Sequence, residues 1–180
     1  MKCPACIKPL AVDSGPLPSS HSCPSCKGHW VPYERFEAWL GAGAAGLRSG
    51  AVVAPPVSRR AKARLCPRCE RIVAPARLSN TPQIEVERCG TCNGVWFDGA
   101  EMEWAAGTGM LARLYHVLND SGQRRLDMER EAAEHENRVR AVLGDDVYAE
   151  AARIKAWLDA QPQRATIMAV LMGQTEGYCA

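Results

Sequence analysis

Eight of the nine cysteines in this 180-residue chain fall into four pairs with two residues between partners: Cys3/Cys6, Cys23/Cys26, Cys66/Cys69 and Cys89/Cys92. Sixteen residues separate the first pair from the second, and nineteen the third from the fourth. That is a C-x2-C-x(15–20)-C-x2-C spacing written twice, the pattern of a four-cysteine zinc site. Zinc takes four tetrahedral ligands, with thiolate sulfur at about 2.3 Å, and one tight turn can offer it both sulfurs of a pair. The pattern predicts two zinc ions per chain, each held within its own repeat. Cys3, Cys6, Cys23 and Cys26 would hold one; Cys66, Cys69, Cys89 and Cys92 the other. On this reading the loss of one site leaves its neighbour intact. A dithiol redox device is the competing use of CxxC, but the pairing of pairs and the lack of a βαβ pattern speak against it.

The segments around the cysteines repeat as well. When the last cysteines are superposed, Gly28 matches Gly94, Trp30 matches Trp96, and Pro4 matches Pro67. Acidic, helix-favouring stretches follow both copies, "YERFEAWL" and "GAEMEWAA". A module of about 40 residues buries too little apolar surface to fold unaided. Zinc binding, worth about 10–16 kcal/mol in small peptides, would supply the difference. Gly28 and Gly94 are expected at φ > 0 just past the metal turn. Trp96 is expected to cover the zinc turn of its own module. Asp98 and Glu101 spell an N-cap and N3 pair opening a helix, whereas Pro32 takes that place in the first copy. The stretches between pairs read as hairpin strands, with "IEVERC" at 84–89 alternating at period two.

These residues resemble the zinc-ribbon domains of the transcription-factor-IIB type found in many bacterial proteins. The family pattern runs CPxC, a hairpin, then CxxCxG, an aromatic, Asp, and a helix containing Glu. Residues 65–104 carry it in Cys66, Cys69, Cys89, Cys92, Gly94, Trp96, Asp98 and Glu101. Residues 2–40 keep the cysteines, Gly28 and Trp30 but not the Asp, and both copies have Ile7 or Glu70 where glycine is commoner. The resemblance implies a fold and a metal rather than an activity.

Around the ribbons the chain divides into a first ribbon at 1–40, a linker at 41–63, a second ribbon at 64–106, a helical domain at 107–172 and a tail at 173–180. The linker is rich in Gly, Ala and Pro, so the ribbons are expected to move as separate beads. Leu111, Leu114, Tyr115 and Leu118 form an apolar stripe at helix spacing, broken from the preceding helix by "GTG" at 107–109. Ser121 would cap a longer helix over 122–143 carrying Met128, Ala132, His135, Val139 and Val142. Gly144 ends it, and Asp145 or Asp146 opens another, with Val147, Ala151, Ile154 and Leu158. The two stripes predict an antiparallel helical hairpin that folds without zinc, with a last segment from Pro162 packed on it. The fold class is therefore small zinc-stabilised β modules plus α: two tandem ribbons, then a helical hairpin.

The isolated candidates have plain readings. His135 reads as a partly buried structural histidine, His21 as a hairpin-tip residue and Cys179 as a free thiol. His29 lies three residues past Cys26, but four cysteines already complete that site. No catalytic grouping stands out. A near-neutral net charge of +2 gives no global field toward nucleic acid or membrane. The longest apolar run, residues 165–173, is far short of the roughly 20 residues of a membrane span. With no apolar leader after "MKCPACIKPL", a cytoplasmic location is expected. The expected function is a non-enzymatic zinc-binding adaptor for a protein partner, without a small-molecule substrate. The alternative is nucleic-acid binding or a transcription role, through Arg59, Arg60, Lys62, Arg64, Arg68 and Arg71 within a basic run that ends at Arg77.

Overall fold

The computed structural model describes residues 1–12, 20–36, 54–56 and 63–173. The chain forms two compact units, Met1–Arg130 and Glu131–Ala180. Most of the expected linker, and the tail from residue 174, lie outside the described residues.

The first unit is built on one sheet. Its strands are β1 (Ala11–Val12), β2 (His21–Ser22), β3 (His29–Val31), β4 (Val73–Asn80), β5 (Gln83–Cys89) and β6 (Val95–Phe97). They lie in the order β1-β2-β3-β6-β5-β4, with every pairing antiparallel. Each repeat contributes three strands, and the join is β3 against β6, where Trp30 faces Trp96 and Val31 faces Val95. The ribbons are therefore not separate beads. A short β-strand exposes a row of unpaired backbone groups, and here each repeat satisfies the other's row.

Both faces of this sheet are covered, which explains why strict period-two alternation fails on β5. Ile84 and Val86 face one side; Glu87 and Cys89, also buried, face the other. On the first side Val31, Val86, Val95 and Phe97 form a core with Met102, Trp104, Leu114 and Leu118. On the second side Trp30 and Trp96 are buried among Cys3, Cys23, Cys66 and Cys89. Helices cover one face and the cysteine turns the other.

The covering helices begin where their caps dictate. Asp98 and Glu101 form the expected capping box on α1 (Gly99–Gly107), each side chain accepting the other's backbone N–H at 2.8 Å. A 3-10 turn at Met110–Arg113 leads to α2 (Leu114–Leu118), whose Leu114, Val117 and Leu118 are buried. The next helix, α3 (Asp120–Leu143), starts earlier than expected. Asn119, not Ser121, holds its first turn by accepting from the Gly122 N–H at 2.8 Å. Glycine is required at 122, because a Cβ there would meet the His116 carbonyl oxygen at 2.1 Å. The side-chain amide of Gln123 bonds both backbone groups of Arg77, accepting from its N–H at 3.0 Å and donating to its carbonyl at 2.8 Å. Asn80 donates to the Leu126 carbonyl at 2.7 Å. These bonds tie the start of α3 to β4.

The second unit holds the end of α3, then α4 (Asp145–Asp159) and α5 (Arg164–Leu171). Gly144, at φ 78°, breaks the helix as the sequence predicts. The expected packing of stripe on stripe is not seen. Met128, Val142, Val147 and Ile154 are exposed, Trp157 is 56% exposed, and His135 is exposed rather than held in a seam. Leu158 is the buried member of the α4 stripe. Periodicity identifies an apolar face but says nothing of what covers it.

Candidate metal centres

Each of the four cysteine pairs sits on the same turn. The N–H groups of Ile7, Lys27, Glu70 and Asn93 donate to the carbonyls of Cys3, Cys23, Cys66 and Cys89, at 2.9, 2.9, 2.9 and 2.8 Å. The N–H groups of those cysteines donate in turn to Lys8, Gly28, Arg71 and Gly94 at 2.8, 2.8, 2.7 and 2.9 Å. Closing this turn requires a left-handed residue directly after the second cysteine. Ile7, Lys27, Glu70 and Asn93 take that conformation, at φ 65°, 60°, 58° and 55°. This corrects the expectation for the glycines: Gly28 and Gly94, one position later, have ordinary negative φ. A side chain at φ > 0 is costly, so Ile7 and Glu70 are held there by the turn around them.

The turns bring the cysteines together in two groups. Cys3, Cys6, Cys23 and Cys26 form one and Cys66, Cys69, Cys89 and Cys92 the other, with all sulfurs of a group within 4.8 Å of one another. Across the first group Cys3–Cys26 is 3.5 Å and Cys6–Cys23 is 3.4 Å. Across the second, Cys66–Cys92 is 3.6 Å and Cys69–Cys89 is 3.4 Å. Four sulfurs at about 2.3 Å from a central ion would stand about 3.8 Å apart, so each group is close to a zinc tetrahedron. Neither His21 nor His29 belongs to a group.

Backbone N–H groups favour thiolate at some of the sulfurs, and burial opposes it. The N–H groups of Ala5 and Cys6 donate to Cys3 Sγ at 3.3 and 3.4 Å, and those of Arg68 and Cys69 to Cys66 Sγ at 3.4 Å. As bare thiols the cysteines of each group are unequal. Burial pushes Cys3 and Cys66 up to about 12. Burial also raises Cys23 and Cys89, but backbone N–H groups and neighbouring thiols outweigh it and bring them down to about 6 and 7. A divalent cation displaces the remaining protons on binding. Each four-cysteine group is then coordinatively closed, with all four positions taken by protein.

What Gly28 and Gly94 do instead is make room. A Cβ on Gly28 would lie 2.2 Å from Cζ2 of Trp96, and one on Gly94 would lie 2.2 Å from Cζ2 of Trp30. Each indole therefore lies across the other repeat's second metal turn, not its own. Sequence reasoning placed Trp96 on its own module because no spacing encodes which strand will be the neighbour.

Of the basic candidates, Arg59, Arg60 and Lys62 lie outside the described residues. Arg64 pairs with buried Glu87, Arg68 with Glu34 at 2.7 Å, and Arg77 with Asp127 at 2.9 Å; Arg71 is exposed. Sequence reasoning missed Glu87 altogether and read Glu101 only as the N3 partner of Asp98. Burial raises both, Glu101 to about 8, with the Asp98 charge adding to each. Among the described residues, no helix is long and apolar enough to cross a membrane.

No curated protein and no solved structure matches the chain. A family model described as "Transcription factor zinc-finger" matches residues 65–106. The chain thus carries a zinc ribbon of the transcription-factor-IIB type at residues 65–106, beside a second four-cysteine cluster within residues 3–26.

Proposed function

We propose that the protein is a non-enzymatic, zinc-stabilised adaptor that works by contact with another protein. The observation that carries this reading is the closure of both metal sites: four thiolates leave zinc no position for water or substrate. The cysteine turns also form the cover of one sheet face, which is a structural task. The exposed apolar groups of the second unit, Trp157 above all, supply the kind of anchor that protein contacts use. Eight thiols kept as ligands fit a reducing compartment, and we place the protein in the cytoplasm.

Nucleic-acid binding is the second reading, favoured by the description of the matching family and by the run from Arg59 to Arg77. Against it, Arg64, Arg68 and Arg77 spend their charge on carboxylates. Fluorescence anisotropy with labelled duplex and single-stranded DNA and RNA, at two salt concentrations, separates the two. Six to ten phosphate contacts would lower affinity about 10³–10⁵-fold between 50 and 200 mM salt. We expect no such salt-dependent binding, and a photo-crosslinker at position 157 should trap a defined protein. Steep salt dependence with no protein crosslink overturns the adaptor reading.

A further inference from the structure

We propose that the two metal sites are one coupled unit, in which each tryptophan positions the metal turn of the other repeat. The described residues of the first repeat offer little of their own to fold on. Its strands are two, two and three residues long. Among those residues, Val31 and Phe36 are buried in the core shared with Val95, Phe97 and Met102. Trp30, the largest side chain among its described residues, is fully buried and spends its ring on Gly94, two residues past Cys92.

The second repeat has the longer β4–β5 hairpin and α1, yet its metal turn is covered by Trp30, and its own Trp96 lies on Gly28. Cys3, Cys23, Cys66, Cys89 and both indoles belong to a single buried cluster. Glu87, Trp96, Trp30 and His21 pair in sequence across four strands, so displacing one strand disturbs the whole row.

The consequence is thermodynamic. Zinc at either site orders the strand that carries the other site's lid. Whatever factor one ion adds to the affinity of the second, the second adds to the first. Coupling of this kind is typically about 5–150-fold. The pair then loads and empties together, and partial loss of zinc yields open chains rather than half-loaded ones.

Native mass spectrometry of the full apo chain titrated with zinc reads this directly. Independent sites of equal affinity leave about half the chains with one ion at half saturation, and coupling moves them to none or two. We expect the one-zinc species to be minor. Site by site, the full chain loaded with 113Cd should give one resonance per cysteine group, assignable through the cysteine protons. Trp96→Ala, a change in the second repeat, should then lower the first group's metal affinity, read by chelator competition at equilibrium, by about 5–150-fold. Trp96→Phe should recover most of that loss. A binomial distribution of zinc in the wild type overturns the proposal, and so does a Trp96→Ala protein whose metal affinity falls at the second group alone.

Discussion

Gly28 and Gly94 show how a single missing methyl group can be structural. Cross-strand diagonal neighbours on one face of an antiparallel pair come within reach of long side chains, and a tryptophan needs its diagonal partner to have none. Gly28→Ala should therefore push Trp96 off the sheet and cost about 1–3 kcal/mol, as overpacking does. Urea unfolding of the zinc-loaded chain measures it, and an unchanged midpoint would show that the ring can yield. Glu101 makes a second prediction. Its carboxyl stays protonated up to about 8 in the folded chain and ionises near the ordinary 4.5 when unfolded. Between those values the folded state binds more protons, so its contribution is complete below about 4.5 and is lost as pH rises toward 8. Glu101→Gln keeps an oxygen to accept from the Asp98 N–H but has no proton to lose. Its stability relative to wild type should rise by about 1–2 kcal/mol from pH 6 to pH 8, read from denaturant midpoints in excess zinc.

Elements obeyed the sequence wherever their signals are local. The four cysteine turns, the capping box at Asp98 and the break at Gly144 each depend on residues a few positions apart, and each was legible. The join of β3 to β6 was not, since it links residues more than sixty positions apart through backbone bonds that carry no side-chain pattern. The start of α3 was misplaced for a related reason. Both Asn119 and Ser121 can cap, and the choice falls to Asn119 because Gly122 must pass close over the His116 carbonyl. Gln123 does at α3 what the cap cannot: it satisfies both backbone groups of Arg77. Gln123→Ala leaves a part-buried donor and acceptor unpaired and should cost about 1–3 kcal/mol. Hydrogen exchange at the Arg77 amide should quicken with it; equal protection would mean that other contacts hold the helix end.

At the scale of the whole molecule, the two units should respond differently to the loss of metal. The first has a shared core whose exposed side is closed by cysteine turns, so chelation should abolish its cooperative melting and redshift the emission of Trp30 and Trp96. The second was expected to fold without zinc on the strength of two matched stripes. With Val142, Val147 and Ile154 exposed, that support is missing, and helices of such length are marginal alone. Chelated protein should therefore keep some helical circular dichroism that fades gradually on heating. A sharp second transition would mean that the stripes find each other in solution.

The reciprocal contact of β3 with β6 has a symmetry of its own. Each repeat offers the other the same edge, the same glycine and the same indole, so residue 30 meets 96 as 96 meets 30. That is the self-complementary logic of a twofold homodimer, in which one patch serves as both halves of the contact. A single ribbon with this edge would pair with its twin, and here both copies lie in one chain. The two copies differ around that contact: one has the acid cap and the longer hairpin, and the other has strands of two and three residues. A lone 64–106 segment with zinc still carries half of that pact. It should sediment as a dimer at high concentration, and Gly94→Ala should leave it a monomer.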